Sequence, residues 1–259
     1  MVFDSKWSNP SPRIAPVLIW PIIVLLSPAI PMRISEIYCS RQGEGLLTGT
    51  PSVFVRTTGC NLRCSFCDTP FTSWEPAGNH LPLADIVSNV TSHSIQHVVL
   101  TGGEPMLSLE VVELTERLDA EKKHITIETA GTIYRPVRCN LMSISPKLTN
   151  STPNTNRAGS WTAKHESGRL KIDVLCRLID DFDHQLKFVI AAPTDLEEVH
   201  QLLKQLPAVS AESVLLMPEG ISQDVLAEKE VWLRPLAERL GFRFSPRMHI
   251  QWYGHTRGT

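Results

Sequence analysis

Segments that read as β-strands alternate with segments that read as helices over most of this chain. The hydrophobic pattern predicts strands at residues 52–58, 97–101, 125–129, 141–145, 185–191 and 213–217. It predicts helices at residues 83–90, 107–118, 172–182, 195–206 and 223–240. Strand–helix units of this length require parallel strands with right-handed crossovers, which gives an α/β fold. About six units fit, fewer than the eight of a closed barrel, so we predict an incomplete TIM-like barrel.

Other segments carry more specific structural predictions. The helix at 107–118 is expected to place Leu109 among its buried apolar positions. Residues 149–163 are rich in Asn, Ser and Thr and are predicted to form an irregular surface loop. Gly241 is a candidate C-cap of the last long helix, and residues 242–252 are predicted to close the chain as a β-like tail. No internal repeat or linker is visible, so we predict one domain.

Three cysteines, Cys60, Cys64 and Cys67, follow the first predicted strand in the run GCNLRCSFCDT. Clusters of four irons are usually held by four cysteines, so three ligands leave one iron without a protein thiolate. A small molecule with an amine and a carboxylate can chelate that open iron, and S-adenosylmethionine is such a molecule. The C-x3-C-x2-C spacing therefore predicts a [4Fe–4S] cluster with S-adenosylmethionine.

A structural zinc site is the first alternative, but it normally needs four ligands in two pairs. Cys39, Cys139 and Cys176 are isolated and offer no second pair, so we interpret them as small core hydrophobes. A disulfide framework is also a poor fit, because a chain of 259 residues does not need covalent staples. Six cysteines without paired spacings suit a reducing cytoplasm, where we expect the protein to be.

Polar motifs follow five of the predicted strands: GCNLRCSFCDT, TGGEP, ETAG, SPK and LMPE. Ligands of α/β proteins bind at the carboxyl ends of the strands, so we expect these motifs to form one site. The candidate cofactor-binding residues among them are Phe66, Gly102, Gly103, Glu104, Thr129, Ser145 and Lys147.

Each of these candidates also has an ordinary interpretation. The glycines of GGEP would let backbone approach a ligand, and its glutamate would accept from an ammonium group. Gly-Gly before Pro is, however, usually just a turn. The polar residues of ETAG and SPK can contact a ribose or a carboxylate, or simply cap strand ends. Phe66 can pack on a flat base, but a buried aromatic would look the same in sequence.

The C-x3-C-x-aromatic-C motif followed by GGEP is the signature of the radical S-adenosylmethionine (radical SAM) superfamily. Within it, the chain resembles the 7-carboxy-7-deazaguanine synthase family. Four segments carry this resemblance: SRQGEGLLTGTPSVFVRTTGCNLRCSFCDT, TGGEP, SISPK and PRMHIQWYGHTRGT. The resemblance runs from Met32 to the C-terminus.

The resemblance implies a lyase that contracts the ring of 6-carboxy-5,6,7,8-tetrahydropterin with loss of ammonia, in the route to queuosine and related 7-deazapurines. Reductive cleavage of the sulfonium of S-adenosylmethionine would yield a 5′-deoxyadenosyl radical that abstracts hydrogen. Mg²⁺ is implied as a further cofactor, an electron donor such as a flavodoxin as a partner, and a homodimer as the assembly.

Four residues would bind the pterin in this family: Gln42 and Glu44 of the Q-G-E-G segment, Arg56 and His249. An amide and a carboxylate match the amide-amidine edge of a pterin, and a guanidinium can bind its carboxylate with two hydrogen bonds. The ordinary interpretations are a glycine-rich turn for Q-G-E-G and a surface strand residue for Arg56. For His249 the alternative is a satisfied core histidine.

The resemblance also implies that the threonine of the C-D-T segment, here Thr69, contacts Mg²⁺. An ion that keeps oxygen ligands and binds through the substrate is typical of Mg²⁺. Orienting the substrate's carboxylate would be its role. The neighbouring Asp68 has the plainer interpretation of a cap on the following turn. Met217 precedes a proline at a late strand end, and we leave it out of the site.

The first 31 residues do not fit this pattern. Residues 14–31 form an apolar run that four prolines interrupt, and prolines would break a membrane-spanning helix. A signal peptide is conceivable because Lys6 and Arg13 precede the run, although exporting a cluster enzyme makes little sense. We favour Met32 as a second start, with 1–31 an extension of no assigned function and 32–259 the radical SAM domain.

Two rival functions stay open at this point. One is a glycyl-radical activase of the same superfamily, which would need a surface for a protein partner. The other is a non-catalytic module that binds zinc or a cluster. A net charge of −2 gives no sign of a surface for nucleic acid or anionic membranes, so we expect neither partner.

Overall fold

The computed structural model describes residues 31–259. In this part of the chain nine strands form one sheet in the order β3-β1-β2-β4-β5-β6-β7-β8-β9. The strands are β1 (Pro31–Arg41), β2 (Pro51–Thr57), β3 (Asn79–Pro82), β4 (His97–Gly102), β5 (His124–Thr129), β6 (Leu141–Ile144), β7 (His184–Ile190), β8 (Val214–Pro218) and β9 (Arg243–Phe244).

From β2 to β9 every neighbouring pair is parallel, whereas β1 runs antiparallel to both β2 and β3. Within residues 31–259 no pairing joins the two ends of the strand order, so the sheet does not close. This confirms the predicted α/β class and the incomplete barrel.

Nine α-helices connect or flank the strands of the described region. They are α1 (Pro70–Ser73), α2 (Leu83–Thr91), α3 (Val111–Ala120), α4 (Thr155–Ala158), α5 (Trp161–Gly168), α6 (Ile172–Asp181), α7 (Asp195–Leu203), α8 (Gln223–Arg239) and α9 (Met248–Tyr253). Short 3₁₀ turns lie at Pro105–Leu107, Thr149–Ser151 and Ala211–Ser213.

Helix α2 illustrates why the sequence forms these layers. Its residues Leu83, Ile86 and Val90 recur at helical spacing and are buried against the sheet. The central strands are instead buried almost throughout, as in β8, because a sheet of this type is covered on both faces. Apolar residues from both layers form one continuous core.

The helix predicted at 107–118 begins later than expected. Pro105–Leu107 forms a 3₁₀ turn, and α3 starts only at Val111. The side chain of Glu104 accepts a hydrogen bond from the Met106 backbone N–H and so caps the 3₁₀ turn. The prediction that Leu109 is buried was wrong, since it is 70% exposed.

Residues 149–163 were expected to be irregular, and this was wrong. They contain the turn Thr149–Ser151, helix α4 and the start of α5. Asn154 explains the error, because its side chain accepts from the Arg157 backbone N–H and starts α4. The Asn, Ser and Thr residues that suggest a loop are also the best helix caps.

The last segment also departs from the prediction. Gly241 does end α8 as expected, with φ +73° and its N–H bonded to the Glu238 carbonyl at 3.0 Å. Only Arg243–Phe244 then pairs as a strand, and Met248–Tyr253 is helix α9 rather than a β-like tail. Periodicity distinguishes strand from helix poorly in a segment this short.

The predicted extension lies outside the described residues except for Pro31, the first residue of β1. The domain boundary at Met32 therefore stays a prediction. No helix in the part of the chain that the structure describes is long and apolar enough to cross a membrane.

Candidate active site at the carboxyl ends of the strands

A cavity of about 410 Å³ opens where the parallel strands end. This is the edge at which the sequence motifs were expected to meet. Of the predicted site residues, those that line the cavity are Gln42, Glu44, Arg56, Cys60, Cys64, Phe66, Cys67, Thr69, Gly102, Gly103, Thr129, Ser145, Lys147 and His249. Glu104 is the one predicted site residue that does not line the cavity.

The three cysteines lie half-buried in the cavity on the segment 58–67, which we call the cysteine loop. Burial raises the pKa of Cys60 to about 12 and that of Cys64 to about 11. Because these pKa values are raised, the two thiols lose their protons only beside a positive charge, and the iron ions of a cluster would supply that charge.

Within residues 31–259, no three His, Cys, Asp or Glu side chains converge as the ligands of one metal ion would. A four-iron cluster does not require such convergence, because each thiolate binds a different iron. The donor set of the cysteine loop therefore fits a cluster.

Hydrogen bonds fix the backbone of the cysteine loop and leave the thiols in the cavity. Trp74 donates from Nε1 to the Cys64 carbonyl at 3.1 Å, and the Arg63 side chain donates to the Cys60 carbonyl at 2.8 Å. The Gly59 N–H donates to the Thr72 carbonyl at 2.8 Å.

The segment predicted to be an irregular loop supports the cysteine loop from another side. The Ser65 N–H donates to the Ser151 carbonyl at 2.8 Å. His165 Nδ1 accepts from the Arg63 N–H at 3.1 Å, so its Nε2 carries the hydrogen and donates to the Ser151 hydroxyl at 3.0 Å. Burial lowers the pKa of His165 to about 4, which keeps the ring neutral and this arrangement intact.

The GGEP glycines have a different structural role from the one predicted. A Cβ on Gly102 would lie 2.1 Å from the Thr57 carbonyl oxygen, and one on Gly103 would lie 2.0 Å from that of Gly59. Gly102 also has φ +128°, which other residues rarely adopt. The backbone of Thr57 and Gly59, which leads into the cysteine loop, therefore fills the space beside these glycines.

Glu104 uses its carboxylate inside the protein. It accepts from the Met106 N–H at 3.1 Å, the Thr129 hydroxyl at 2.8 Å and the Ala130 N–H at 2.8 Å. Burial raises its pKa above the ordinary value. These contacts join the ends of β4 and β5, so the predicted contact of Glu104 with an ammonium group would compete with three existing hydrogen bonds.

Among the predicted cofactor-binding residues, Lys147 offers a positive charge to a bound cofactor. Its ammonium donates to the carbonyl and the hydroxyl of Ser145 at 2.8 and 2.7 Å. It forms no ion pair with any residue between 31 and 259. Its charge lies close enough to Cys64 to offset part of the rise in that thiol's pKa.

Five charged side chains form a second structure in the cavity, which we call the charge network: Glu44, Asp68, Glu128, Lys187 and Arg247. Lys187 lies 2.5 Å from one oxygen of Glu44 and 3.7 Å from Glu128. Arg247 lies 3.0 Å from the other oxygen of Glu44 and also bonds to Asp68. Lys187 and Arg247 are almost fully buried, at 4% and 6% exposure.

The network keeps Glu44 and Lys187 charged. Burial alone would raise the pKa of Glu44, but Lys187 and Arg247 hold it below the ordinary range. Burial likewise disfavours the charge on Lys187, yet Glu128 and Glu44 raise its pKa to about 12. Buried charges are tolerated only when they are paired in this way.

The Q-G-E-G segment joins this network. Gln42 donates to Glu128 at 3.1 Å and accepts from the Glu44 N–H at 3.2 Å, so both ends of its amide already have partners. A Cβ on Gly43 would lie 2.4 Å from Nδ1 of His249, so this glycine makes room for the histidine. His249 Nδ1 is 4.0 Å from Glu44, and burial lowers the pKa of His249.

Arg56 is held by two neighbours on β1. Its Nε donates to Glu36 at 2.7 Å and its Nη2 to the Tyr38 hydroxyl at 2.5 Å. Its Nη1 has no hydrogen-bond partner among residues 31–259 and belongs to a side chain that lines the cavity. Arg257 bonds to the second oxygen of Glu36 at 2.7 Å.

The turn-cap interpretation of Asp68 was wrong, because α1 has no side-chain cap and Asp68 instead accepts from Arg247. Thr69 lines the cavity, and its hydroxyl accepts from Thr72 at 3.2 Å. A cation bound at Thr69 would therefore take most of its ligands from substrate and water, as the Mg²⁺ prediction requires.

Met217, which we left out of the site, lines the cavity. Lys187, Arg247, Glu36 and Tyr38 also line it and were missed. Lys187 left a readable signal, since a lysine inside the apolar run QLKFVIA is costly to bury without a partner. The others left none, because isolated charged or aromatic residues are ordinary at surfaces.

Comparisons with known proteins show which proteins this chain resembles. The model of the radical SAM superfamily matches residues 54–146. The 7-carboxy-7-deazaguanine synthase of Rhodopirellula baltica is 45% identical over 227 residues, covering 87% of this chain and 88% of that protein. The one of Halobacterium salinarum is 45% identical over 233 residues, covering 86% and 90%.

A solved structure extends the comparison to the fold. The crystal structure of QueE from Escherichia coli matches with a TM-score of 0.63 and 24% identity, covering 83% of this chain and 93% of that one. At this identity the likeness concerns the fold alone.

Proposed function

Since this chain belongs to the 7-carboxy-7-deazaguanine synthase family, a family of radical SAM enzymes, we propose that it converts 6-carboxy-5,6,7,8-tetrahydropterin into 7-carboxy-7-deazaguanine with loss of ammonia. One observation carries the proposal: three cysteines and a set of paired acidic and basic groups line the same cavity. A radical cofactor bound at the cysteines would lie beside a polar heterocycle held by the paired charged groups.

The cofactors follow from the superfamily. A [4Fe–4S] cluster with S-adenosylmethionine supplies, when bound, a 5′-deoxyadenosyl radical that abstracts hydrogen. We propose that Cys60, Cys64 and Cys67 hold the cluster. The ammonium of Lys147, which has no ion-pair partner among residues 31–259 and lies near Cys64, then binds the cofactor's carboxylate.

The remaining predicted cofactor contacts are supported to different degrees. Phe66, Thr129 and Ser145 line the cavity and stay in the proposal. Gly102 and Gly103 contribute mainly by letting the cysteine loop pack closely. Glu104 contributes by fixing the strand ends, since its carboxylate is already bonded three times.

We propose that the pterin binds across the charge network. Glu44 accepts from its amidine edge, and the free Nη1 of Arg56 donates to its carboxylate. Gln42 and His249 complete the contacts, with the neutral ring of His249 accepting or donating one hydrogen bond. Glu44 stays ionised because Lys187 and Arg247 hold its pKa low, so it remains an acceptor at every physiological pH.

Mg²⁺ belongs to this proposal through Thr69. The Thr69 hydroxyl would hold the ion, and the ion would supply a positive charge that helps to orient the substrate's carboxylate. We also propose a cytoplasmic enzyme, a homodimer, that receives electrons from a donor such as a flavodoxin.

The test is turnover by anaerobically reconstituted protein. Iron and sulfide analysis should give about four of each per chain. Reductant, S-adenosylmethionine, Mg²⁺ and the carboxypterin should then yield 7-carboxy-7-deazaguanine, detected by mass spectrometry together with 5′-deoxyadenosine. A reaction without pterin is the control for uncoupled cofactor cleavage. Cofactor cleavage without the deazaguanine would favour the activase, and one zinc with no sulfide would end the proposal.

A further inference from the structure

Arg247 is the point at which three distant segments of the chain meet. Its Nε donates to Glu44 of the Q-G-E-G segment at 3.0 Å, and its Nη1 donates to the Gly220 carbonyl after β8 at 2.6 Å. Its Nη2 donates to Asp68, directly after the last cysteine. All three nitrogens of one guanidinium are therefore used, and the side chain is only 6% exposed.

Only a guanidinium can make these contacts at once. It presents five N–H donors in one rigid plane, whereas a lysine ammonium is a point charge on a flexible stem. Two of the acceptors are carboxylates that would repel each other without a cation between them. Lys187 binds Glu44 through the other oxygen and forms no contact with Asp68, so it cannot replace Arg247 there.

We infer that Arg247 is a positioning residue that couples the pterin-binding carboxylate Glu44 to the cysteine loop through Asp68. This inference rests on the proposed function, because it takes Glu44 as the contact to the pterin. The coupling would fix the distance between the substrate and the cofactor, since Asp68 follows Cys67 and precedes Thr69. Loss of Arg247 frees both carboxylates to move apart.

The test is the steady-state kinetics of Arg247→Gln in reconstituted enzyme. We expect the KM for the carboxypterin to rise at least about tenfold, the size of effect typical for breaking a buried charge pair. The KM for S-adenosylmethionine and the iron content should stay within about twofold of wild type, because Arg247 contacts no predicted cofactor ligand. Cofactor cleavage per deazaguanine formed should increase.

Arg169→Gln is the matched control. Arg169 is a comparably buried guanidinium, 8% exposed, that does not line the cavity. It bonds to Glu166, Glu198, the Thr149 hydroxyl and the backbone carbonyl of Lys147, and to none of the proposed pterin contacts. Its loss should lower the thermal midpoint to a similar extent and leave the KM for the pterin unchanged. A merely structural role of Arg247 would make the two variants alike.

Asp68→Asn keeps the inference testable if Arg247→Gln fails to fold, because it removes the charge from only one of the three contacts and leaves the other two unchanged. It should also raise the KM for the pterin, and in the double variant with Arg247→Gln the two effects should be less than additive. Arg247→Lys should rescue only part of the loss. An unchanged pterin KM in Arg247→Gln or in Asp68→Asn, or full additivity, would overturn the inference. A wild-type enzyme that forms no deazaguanine would instead refute the proposed function.

Discussion

The cysteine loop and the charge network line the same cavity, but different forces hold them. Backbone groups fix the cysteine loop, through bonds such as those from Trp74 to the Cys64 carbonyl and from Ser65 to Ser151. Its thiols remain available to an external group. In the network the side chains hold one another, as Lys187 and Arg247 share the two oxygens of Glu44.

This difference teaches what each region tolerates. A side chain of the cysteine loop can be changed without leaving a buried charge unpaired, so the loss should concern the cofactor rather than the fold. A change in the network leaves a partner unpaired, so it should affect folding and substrate binding together.

Cys64→Ala should abolish the cluster and all turnover, because the remaining two thiolates cannot hold it. Iron and sulfide analysis with the absorbance spectrum measures this. The interpretation of Cys39 as a core hydrophobe was wrong, because it lies on β1 and is exposed. Cys39→Ala is therefore the control and should leave the cluster intact. A full four-iron cluster in Cys64→Ala would contradict the ligand set.

Lys187→Met should lower the free energy of unfolding by about 3–5 kcal/mol, because it leaves Glu44 and Glu128 without their shared cation in a buried site. Denaturant titration at neutral pH measures the loss. Lys171→Met removes an exposed lysine on the surface and should change stability by less than about 0.5 kcal/mol. Equal stabilities of the two variants would show that the network does not hold the fold.

Arg56→Ala should weaken pterin binding by about 1.5–3 kcal/mol, the range for a hydrogen bond to a charged group. Isothermal titration of the reconstituted enzyme with the pterin gives the dissociation constant. Arg33→Ala, an exposed arginine on β1 outside the cavity, is the matched control. Unchanged affinity in Arg56→Ala would remove Arg56 from the site.

The smallest effect concerns the support of the cysteine loop by His165. Burial lowers its pKa to about 4 in the folded state, so the unfolded chain binds the extra proton first as the pH falls. The stability that the neutral His165 ring contributes is therefore fully present above about pH 6.5, the pKa of histidine in the unfolded chain. It is lost as the pH falls toward 4, the pKa of His165 in the folded protein. Between pH 7.5 and 5.5 the loss should be about 1 kcal/mol.

Denaturant titrations of wild type and His165→Gln at both pH values isolate this effect. The variant should be less stable at pH 7.5 but should lack the part of the pH dependence that comes from His165. His249, whose pKa burial also lowers, contributes equally to both proteins and cancels. Parallel pH profiles would show that His165 does not carry the slope.

Much of the fold could be predicted because the alternation of strands and helices is a local pattern. Strands β2 and β4–β8 lie where periodicity put them, and their parallel pairing follows from the length of the connections. The errors occur in short or polar segments. Residues 149–163 and α9 were misassigned because capping residues and a six-residue helix give no clear period.

The cysteine loop could be recognised from the amino-acid sequence, because its three thiols and their spacing lie within eight consecutive residues. The motif needs no knowledge of the rest of the chain to predict a cluster. Its supports at Ser151 and His165 could not be predicted, since Ser151 lies in a segment that reads as a loop and His165 lies on α5, next to that segment.

The charge network could be found only in the folded structure. Arg247 and Glu44 are 203 positions apart, and Lys187 and Glu44 are 143 positions apart, so no local pattern links them. They meet because three separate parts of the fold border one cavity: Lys187 lies within β7, Arg247 follows β9, and Glu44 lies in the connection from β1 to its antiparallel neighbour β2. Burial in that cavity then requires each charge to find its partner.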